Sequence, residues 1–296
     1  MNTASVECLA DYACDTGENP LYHPGENRVY WTDIPQGQLF RYDIATGTHE
    51  VCYRGEPVGG FTRQGDGSLL LFMARGAIKT WQNGTIRATV AEEIPDERES
   101  RFNDVFADPD GRVFCGTMPT PERPGRLYRL DTDGSLTVVL EGVGCSNGMA
   151  LTQDGGVLYH TDSGTATISR YAYNRATGAL SHGETFATVP KTPGEGVPDG
   201  MTTDADGNIW SARWGGGCVV CYNGETAQEI ARVSLPDVSQ VSSVTFGGHD
   251  LADMYVTTAG GHQKDGQGRN AGALFRVTVP GVRGVPDFVS RVQVSP

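Results

Sequence analysis

Four stretches of this chain superimpose without a gap: GGFTRQGDGSLLL from Gly59, NDVFADPDGRVF from Asn103, NGMALTQDGGVLY from Asn147 and DGMTTDADGNIW from Asp199. Each carries an Asp-Gly pair seven residues after its first position: Asp66-Gly67, Asp110-Gly111, Asp154-Gly155 and Asp206-Gly207. Two looser copies start at Glu18 and at about Ser242, with the turn carried by Pro24-Gly25 and by Gly248-His249-Asp250. The starting positions are spaced by 41, 44, 44, 52 and 43 residues. A period in the forties, with strand, tight turn and strand in each unit, is the signature of a four-stranded propeller blade.

Third and fourth strands follow in each unit, as in QLFRYDIATGTHEVCY, GRLYRLDTDGSLTVVLE and ISRYAYNRATGALSHGETFATV. Their turns are Ala45-Thr46-Gly47, Asp133-Gly134 and Ala176-Thr177-Gly178. Six such units run from Glu18 to about Val292, so the sequence predicts an all-β, closed six-bladed propeller occupying residues 1–296 as one domain. Residues Ala4 to Leu9 are expected to supply an outer strand that closes the ring against Phe288 to Val294.

Charge limits the partners. Asp and Glu number 36 against 23 Lys and Arg, a formal charge of -13 with no basic stripe, which repels nucleic acid and acidic membranes. No apolar run reaches membrane-spanning length, and the start MNTASVECLADYACDTGE has neither a basic nor an apolar leader region, so a soluble cytoplasmic protein is expected. Seven cysteines without framework spacing fit reduced thiols. Cys218-Val-Val-Cys221 lies in a strand pattern, where residues three apart face opposite sides, so it predicts packed thiols rather than a metal clasp.

The first strand of a blade lines the central channel, which places the six starting residues in one ring: Glu18, Gly59, Asn103, Asn147, Asp199 and about Ser242. Four of the six bring a carboxylate or carboxamide to a common axis. Glu18, Asn147 and Asp199 together offer hard oxygen donors with a charge of -2, suited to a divalent cation such as Ca2+, Mg2+ or Mn2+, and they leave positions open for water and substrate. A ring that holds only ordered water is the alternative. Two residues before the ring, Arg101 is the only charge in a register otherwise made of Thr16, Pro57, Cys145, Val197 and Gln240. It either orients a polar substrate or pairs with Glu99 or Asp104.

Other motifs are weaker. Gly144-Cys145-Ser146-Asn147-Gly148 fits G-x-S-x-G, but strand-turn-strand follows where a nucleophile elbow needs a helix. Asp204-Ala-Asp206-Gly-Asn208 starts like an EF-hand loop, yet Ile209 stands where glycine is required, so it reads as a hairpin turn. His160, His182 and His262 show no pairing that predicts a triad, although His262, in the loop GGHQKDGQGRNAG, is placed to border a pocket.

The strings GENP at Gly17, RFNDVFADPDGR at Arg101, GTM at Gly116, SNGMALTQDG at Ser146, PDGM at Pro198 and TFGGHDLADMYVT at Thr245 resemble, in order and over nearly the whole chain, the regucalcin, gluconolactonase and luciferin-regenerating-enzyme-like family. The resemblance implies a six-bladed propeller with one divalent metal in the channel, its identity open among Ca2+, Mn2+, Mg2+, Zn2+ and Fe2+, and hydrolysis of a small sugar lactone. It places the metal ligands on Glu18, Asn147 and Asp199, substrate contacts on Arg101 and Asn103, and the general base on Asp199. In one departure, Pro119-Thr120-Pro121 replaces the acidic residue that commonly follows the Gly-Thr-Met string, and Glu122 is displaced. An esterase propeller of phosphotriesterase type and a non-catalytic Ca2+-binding regulator are the competing functions; the sequence leaves the sugar and the oligomeric state open.

Overall fold

The computed structural model describes residues 4–294, which form six antiparallel four-stranded sheets around one axis. Five sheets are consecutive in sequence, and the sixth combines three late strands with the first strand of the chain. The innermost strands are Gly17–His23, Val58–Arg63, Phe102–Ala107, Ser146–Leu151, Val197–Thr203 and Val241–Gly247. Every predicted starting residue lies second or third in one of them. The Asp-Gly hairpins form as predicted: Gly67, Gly111, Gly155 and Gly207 all adopt positive φ, which tight two-residue turns require.

Local sequence explains the strand types. Leu69–Met73, the second strand of blade two, is an unbroken apolar run and is buried throughout. It needs no alternation because neighbouring blades cover both of its faces. Thr85–Ala91, on the rim of the same blade, begins with three exposed residues. The core is accordingly divided among the gaps between blades. Leu70, Phe72 and Ile78 of blade two meet Phe102, Val113 and Tyr128 of blade three. Trp210 and Val219 of blade five meet Phe246, Met254 and Phe275 of blade six.

The chain termini depart from expectation. Ser5–Asp11 does close the ring, but its partner is Ala273–Thr278, with Ser5 opposite Thr278 and Asp11 opposite Ala273. The C-terminal segment is a strap instead. It leaves blades five and six, where Ala205 N–H donates to Arg283 O and Gly284 N–H to Leu251 O. It rejoins the ring at blade two, where Ser290 N–H donates to Arg63 O, and at blade three, where Arg291 N–H donates to Gly111 O. Between these anchors Val285, Pro286, Asp287 and Phe288 cross the channel mouth at the far ends of the inner strands. Among the described residues the segment joins no sheet, and its strand-type pairing with the ring is limited to isolated bridges, Gly284 with Asp204 and Ser290 with Gln64.

All six inner strands change register close to their starting residue, as between Phe102 and Val105, Ser146 and Met149, and Pro198 and Met201. Such bulges re-aim side chains, so two successive residues can face the axis. They also bring neighbouring inner strands close together. A Cβ on Gly148 would lie 2.5 Å from Asp199 O and 2.6 Å from Met201 N. Gly148→Val should therefore force blades four and five apart and cost roughly 1–3 kcal/mol, read as a lowered urea midpoint with an unchanged slope; an unaltered midpoint would show that this approach is not a packing constraint.

Candidate metal centre

The bulged inner strands bring Glu18, Asn103, Asn147 and Asp199 to the channel axis, each no more than 5% exposed. A hydrogen-bonded chain links three of the blades. Arg101 Nη1 donates to Asn103 Oδ1 at 2.6 Å, and Asn103 Nδ2 donates both to Ser146 O at 2.9 Å and to Asn147 Oδ1. Asn147 Nδ2 donates to Ser163 Oγ at 2.7 Å, and Ser163 in turn donates to Pro198 O at 2.6 Å. Because its nitrogen is committed to Ser163, Asn147 presents its carbonyl oxygen to the centre, and that oxygen keeps a second lone pair. Among the described residues Arg101 closes no ion pair with Glu99 or Asp104; its side chain bonds Asn103 Oδ1 instead. Its guanidinium turns inward, bonding Phe102 O as well as Asn103.

Two further members of the site were not singled out from sequence. Asp104, 7% exposed, lies beside Asn103, and its Oδ1 has no partner. It occupies the position filled by Gly60, Gly148 and Gly200 in other repeats, and that contrast is the signal that marks it. Ser163 carried no such signal, since it follows the second strand of blade four and its role depends on where blade five packs. Nearby, Cys145 Sγ lies 3.6 Å from Met118 Sδ. Ser242 is a structural clasp, donating its hydroxyl to Gly17 O across the closing blade gap.

Electrostatics leave the centre needing a cation or bound protons. Burial first, then the charges of Asp199 and Asp104, push the Glu18 carboxyl well above its ordinary range. Burial and then Asp104 do the same to Asp199, and burial raises Asp104 to about 7. Arg101 opposes all three shifts but brings one positive charge against three carboxylates. Asp199 Oδ1 is buried with no hydrogen-bond partner, and such an atom is costly unless an ion or proton meets it. Among the described residues no three His, Cys, Asp or Glu side chains gather tightly enough to hold a metal. The donor set therefore depends on the carboxamide of Asn147 together with Glu18 and Asp199, an all-oxygen set that fits a hard divalent cation.

The dismissed motifs stay dismissed. Ser146 Oγ lies 2.8 Å from His160 Nε2, yet both are buried and burial lowers the histidine to about 4. Asp162, which would complete a triad, instead accepts from the N–H groups of Gly144, Cys145 and Gly164. Asp204 spends both carboxylate oxygens on its own turn and on Trp210 Nε1 at 2.9 Å. Cys218 and Cys221 face different blade gaps and are free thiols. His262 is exposed and pairs with Asp15 at 2.9 Å, and Glu122 sits on an exposed loop. Among the described residues no helix is long and apolar enough to cross a membrane.

Residues 16–260 match the family model described as the SMP-30/Gluconolactonase/LRE-like region. The chain belongs to this family. Pentonolactonase XacC of Haloferax volcanii is 48% identical over 98% of this chain and 99% of its own length. Regucalcin of Gallus gallus is 31% identical over 97% and 99% of the two chains. Among solved structures, a luciferin-regenerating enzyme superposes with a TM-score of 0.88 at 27% identity, covering 98% of this chain and all of its own. A calcium-binding regucalcin from Agrobacterium tumefaciens gives 0.86 at 25% identity, covering 96% and 97%.

Two outcomes follow from this geometry. Carboxylates whose folded pKa is raised bind more protons folded than unfolded, so the stability they confer is present at low pH and lost as pH rises. Metal-free protein should thus melt at progressively lower temperature as pH rises from about 5 through about 7, the value to which burial raises Asp104. A saturating divalent cation should flatten the trend, and a metal-independent melting profile would contradict the assignment. Ser163→Ala should weaken divalent-ion binding by roughly 10- to 100-fold, because the amide of Asn147 is no longer held by its nitrogen; calorimetric affinity equal to wild type would remove Ser163 from that role.

Proposed function

We propose that this protein is a divalent-metal-dependent sugar lactonase that opens an aldonolactone, with a pentonolactone the leading substrate class, to the free aldonic acid. The observation that carries the reading is the end-to-end relationship at 48% identity to a pentonolactonase, joined to a buried oxygen-donor centre with an excess of negative charge. Glu18, Asn147 and Asp199 would hold the cation. When bound, it supplies Lewis acidity to polarise the ester carbonyl, a contribution of several kcal/mol.

The residues of the chain do the rest. Arg101 and Asn103, hydrogen-bonded to each other beside the carboxylates, bind the sugar hydroxyls, fixing the ring so that its carbonyl faces the carboxylates. Asp199, with one oxygen free of protein partners, takes a proton from water as the water oxygen bonds to the carbonyl carbon. The ring C–O bond then breaks, and the departing alkoxide oxygen recovers a proton, leaving a carboxylic acid and an alcohol in one chain. Pro119-Thr120-Pro121 places no carboxylate after the Gly-Thr-Met string, so recognition of the sugar rests more heavily on Arg101 and Asn103. The negative charge of the protein admits a neutral lactone and repels the anionic product.

A calcium-binding role without catalysis is a second reading, supported by the calcium-binding regucalcin among the structural neighbours. Lactone opening followed by pH-stat with defined metal separates the two, since a mere binder gives no rate above spontaneous hydrolysis.

Substitution of Asp199 divides its two roles. Asp199→Asn keeps an oxygen donor but lowers the ligand charge, so metal affinity should fall. At saturating metal, with occupancy checked separately, a deficit of roughly 10²-fold or more should remain if the carboxylate is the base. Near-wild-type turnover there would exclude that role. Arg101→Ala should reduce kcat/KM while leaving metal affinity intact; loss of metal together with the rate would make Arg101 a support of the centre rather than a substrate contact.

A further inference from the structure

The chain approaches Glu18 and Asn147 through the same backbone arrangement. In both blades the residue before the ring position pairs with the last residue of the second strand, Gly17 with Asp33 and Ser146 with Asp162. Each of these carboxylates reaches back to the entry of the inner strand. Asp33 Oδ1 accepts from Thr16 N–H at 3.0 Å, and its Oδ2 from Asp15 N–H at 3.1 Å. Asp162 Oδ1 accepts from Cys145 N–H at 2.9 Å, and its Oδ2 from Gly144 N–H at 3.0 Å. Counted back from Glu18 and from Asn147, these are the same two amides, the second and the third.

The other four blades fill that register position with Met73, Thr117, Arg213 and Thr258. None of these reaches the inner strand. The hydroxyls of Thr117 and Thr258 donate outward to Arg126 O and Ala273 O, and the Arg213 guanidinium goes to Ser211 and Tyr222. What the blades share is a single backbone bond: Ile34 N–H to Thr16 O and Ser163 N–H to Cys145 O have counterparts in Ala74 to Pro57, Met118 to Arg101 and Ala259 to Gln240. Asp33 and Asp162 add two charge-assisted bonds to it, each about twice as strong as a neutral one. The blades so reinforced are the first and the fourth, three steps apart in a closed ring of six and therefore on opposite sides of the axis.

We propose that Asp33 and Asp162 are positioning residues that hold Glu18 and Asn147 at a fixed span across the axis, so that the width of the centre, and with it the discrimination between a small and a larger divalent cation, is set from the second strands. The inference rests on the reading of Glu18, Asn147 and Asp199 as cation ligands. Selectivity between Mg2+ and Ca2+ follows the size and flexibility of the cage, so a rigid span separates their affinities and a loosened one lets them converge.

The test titrates metal-stripped, full-length protein calorimetrically with Mg2+ and, separately, with Ca2+, well below the melting temperature of each variant. Asp33→Asn and Asp162→Asn keep one acceptor oxygen but set an amide nitrogen against a backbone N–H. Each should weaken the better-bound ion by roughly 10-fold or more and bring the two affinities closer together. Thr258→Val, at the same register in blade six, should change neither. Wild-type affinities and a wild-type ratio in the folded aspartate variants would overturn the proposal, as would an equal loss in Thr258→Val. A wild type that binds neither ion would strike the metal centre itself, a failure seen before any substitution is made. Amide exchange in the wild type needs no variant to fold: the N–H groups of Asp15, Thr16, Gly144 and Cys145 should exchange more slowly once the cation is bound, beyond any slowing at Gln240, which holds the matching place in blade six, and equal behaviour at all five would overturn the proposal.

Discussion

Closing six sheets around one axis forces residues that are distant in sequence into one ring, and the polarity of that ring determines what else the molecule must supply. Three buried carboxylates share it with one guanidinium. Like charges so placed hold protons or recruit a cation. The remaining features of the centre serve that condition: Ser163 turns the amide of Asn147, Asn103 ties two blades together, and Arg101 supplies the one compensating charge.

Because packing between blades and chemistry at the axis use the same strands, they constrain one another. Trp210, Phe72 and Phe114 fill the gaps between sheets while their inner strands are bulged toward the centre. Asp104 shows the exchange most directly. Where other repeats place a glycine that lets the neighbouring strand approach, this one places a carboxylate, and the inner strand turns it into the channel. The close packing lost at that point is traded for a charge facing the site.

Much of this was legible in the sequence because the signals were local and repeated. Asp-Gly pairs at constant spacing gave the blade count, and the first position of each repeat located Glu18, Asn147 and Asp199 on one ring. What escaped was set by contacts between repeats. The segment from Phe288 to Val294 is expected from sequence to pair with the first strand, but Ser5–Asp11 takes Ala273–Thr278 as its partner instead, and the later segment becomes a strap. Ser163 acts by reaching Asn147 in its own blade and Pro198 in the next, and no property of its sequence neighbourhood records this. The inward turn of Arg101 likewise depends on a partner fixed by the bulge.

The pairing of Ser5 with Thr278 has a consequence for how the molecule comes into being. During synthesis, five blades can assemble in order as they emerge, each from contiguous chain. The sixth needs Ser5–Asp11, which stays unpaired until Ala273–Thr278 has been made. Contacts separated by almost the full length of a chain form late and slowly. The first strand therefore spends translation as an open edge, and its charged members, Glu7 and Asp11, are residues that discourage such an edge from joining the wrong partner in the meantime.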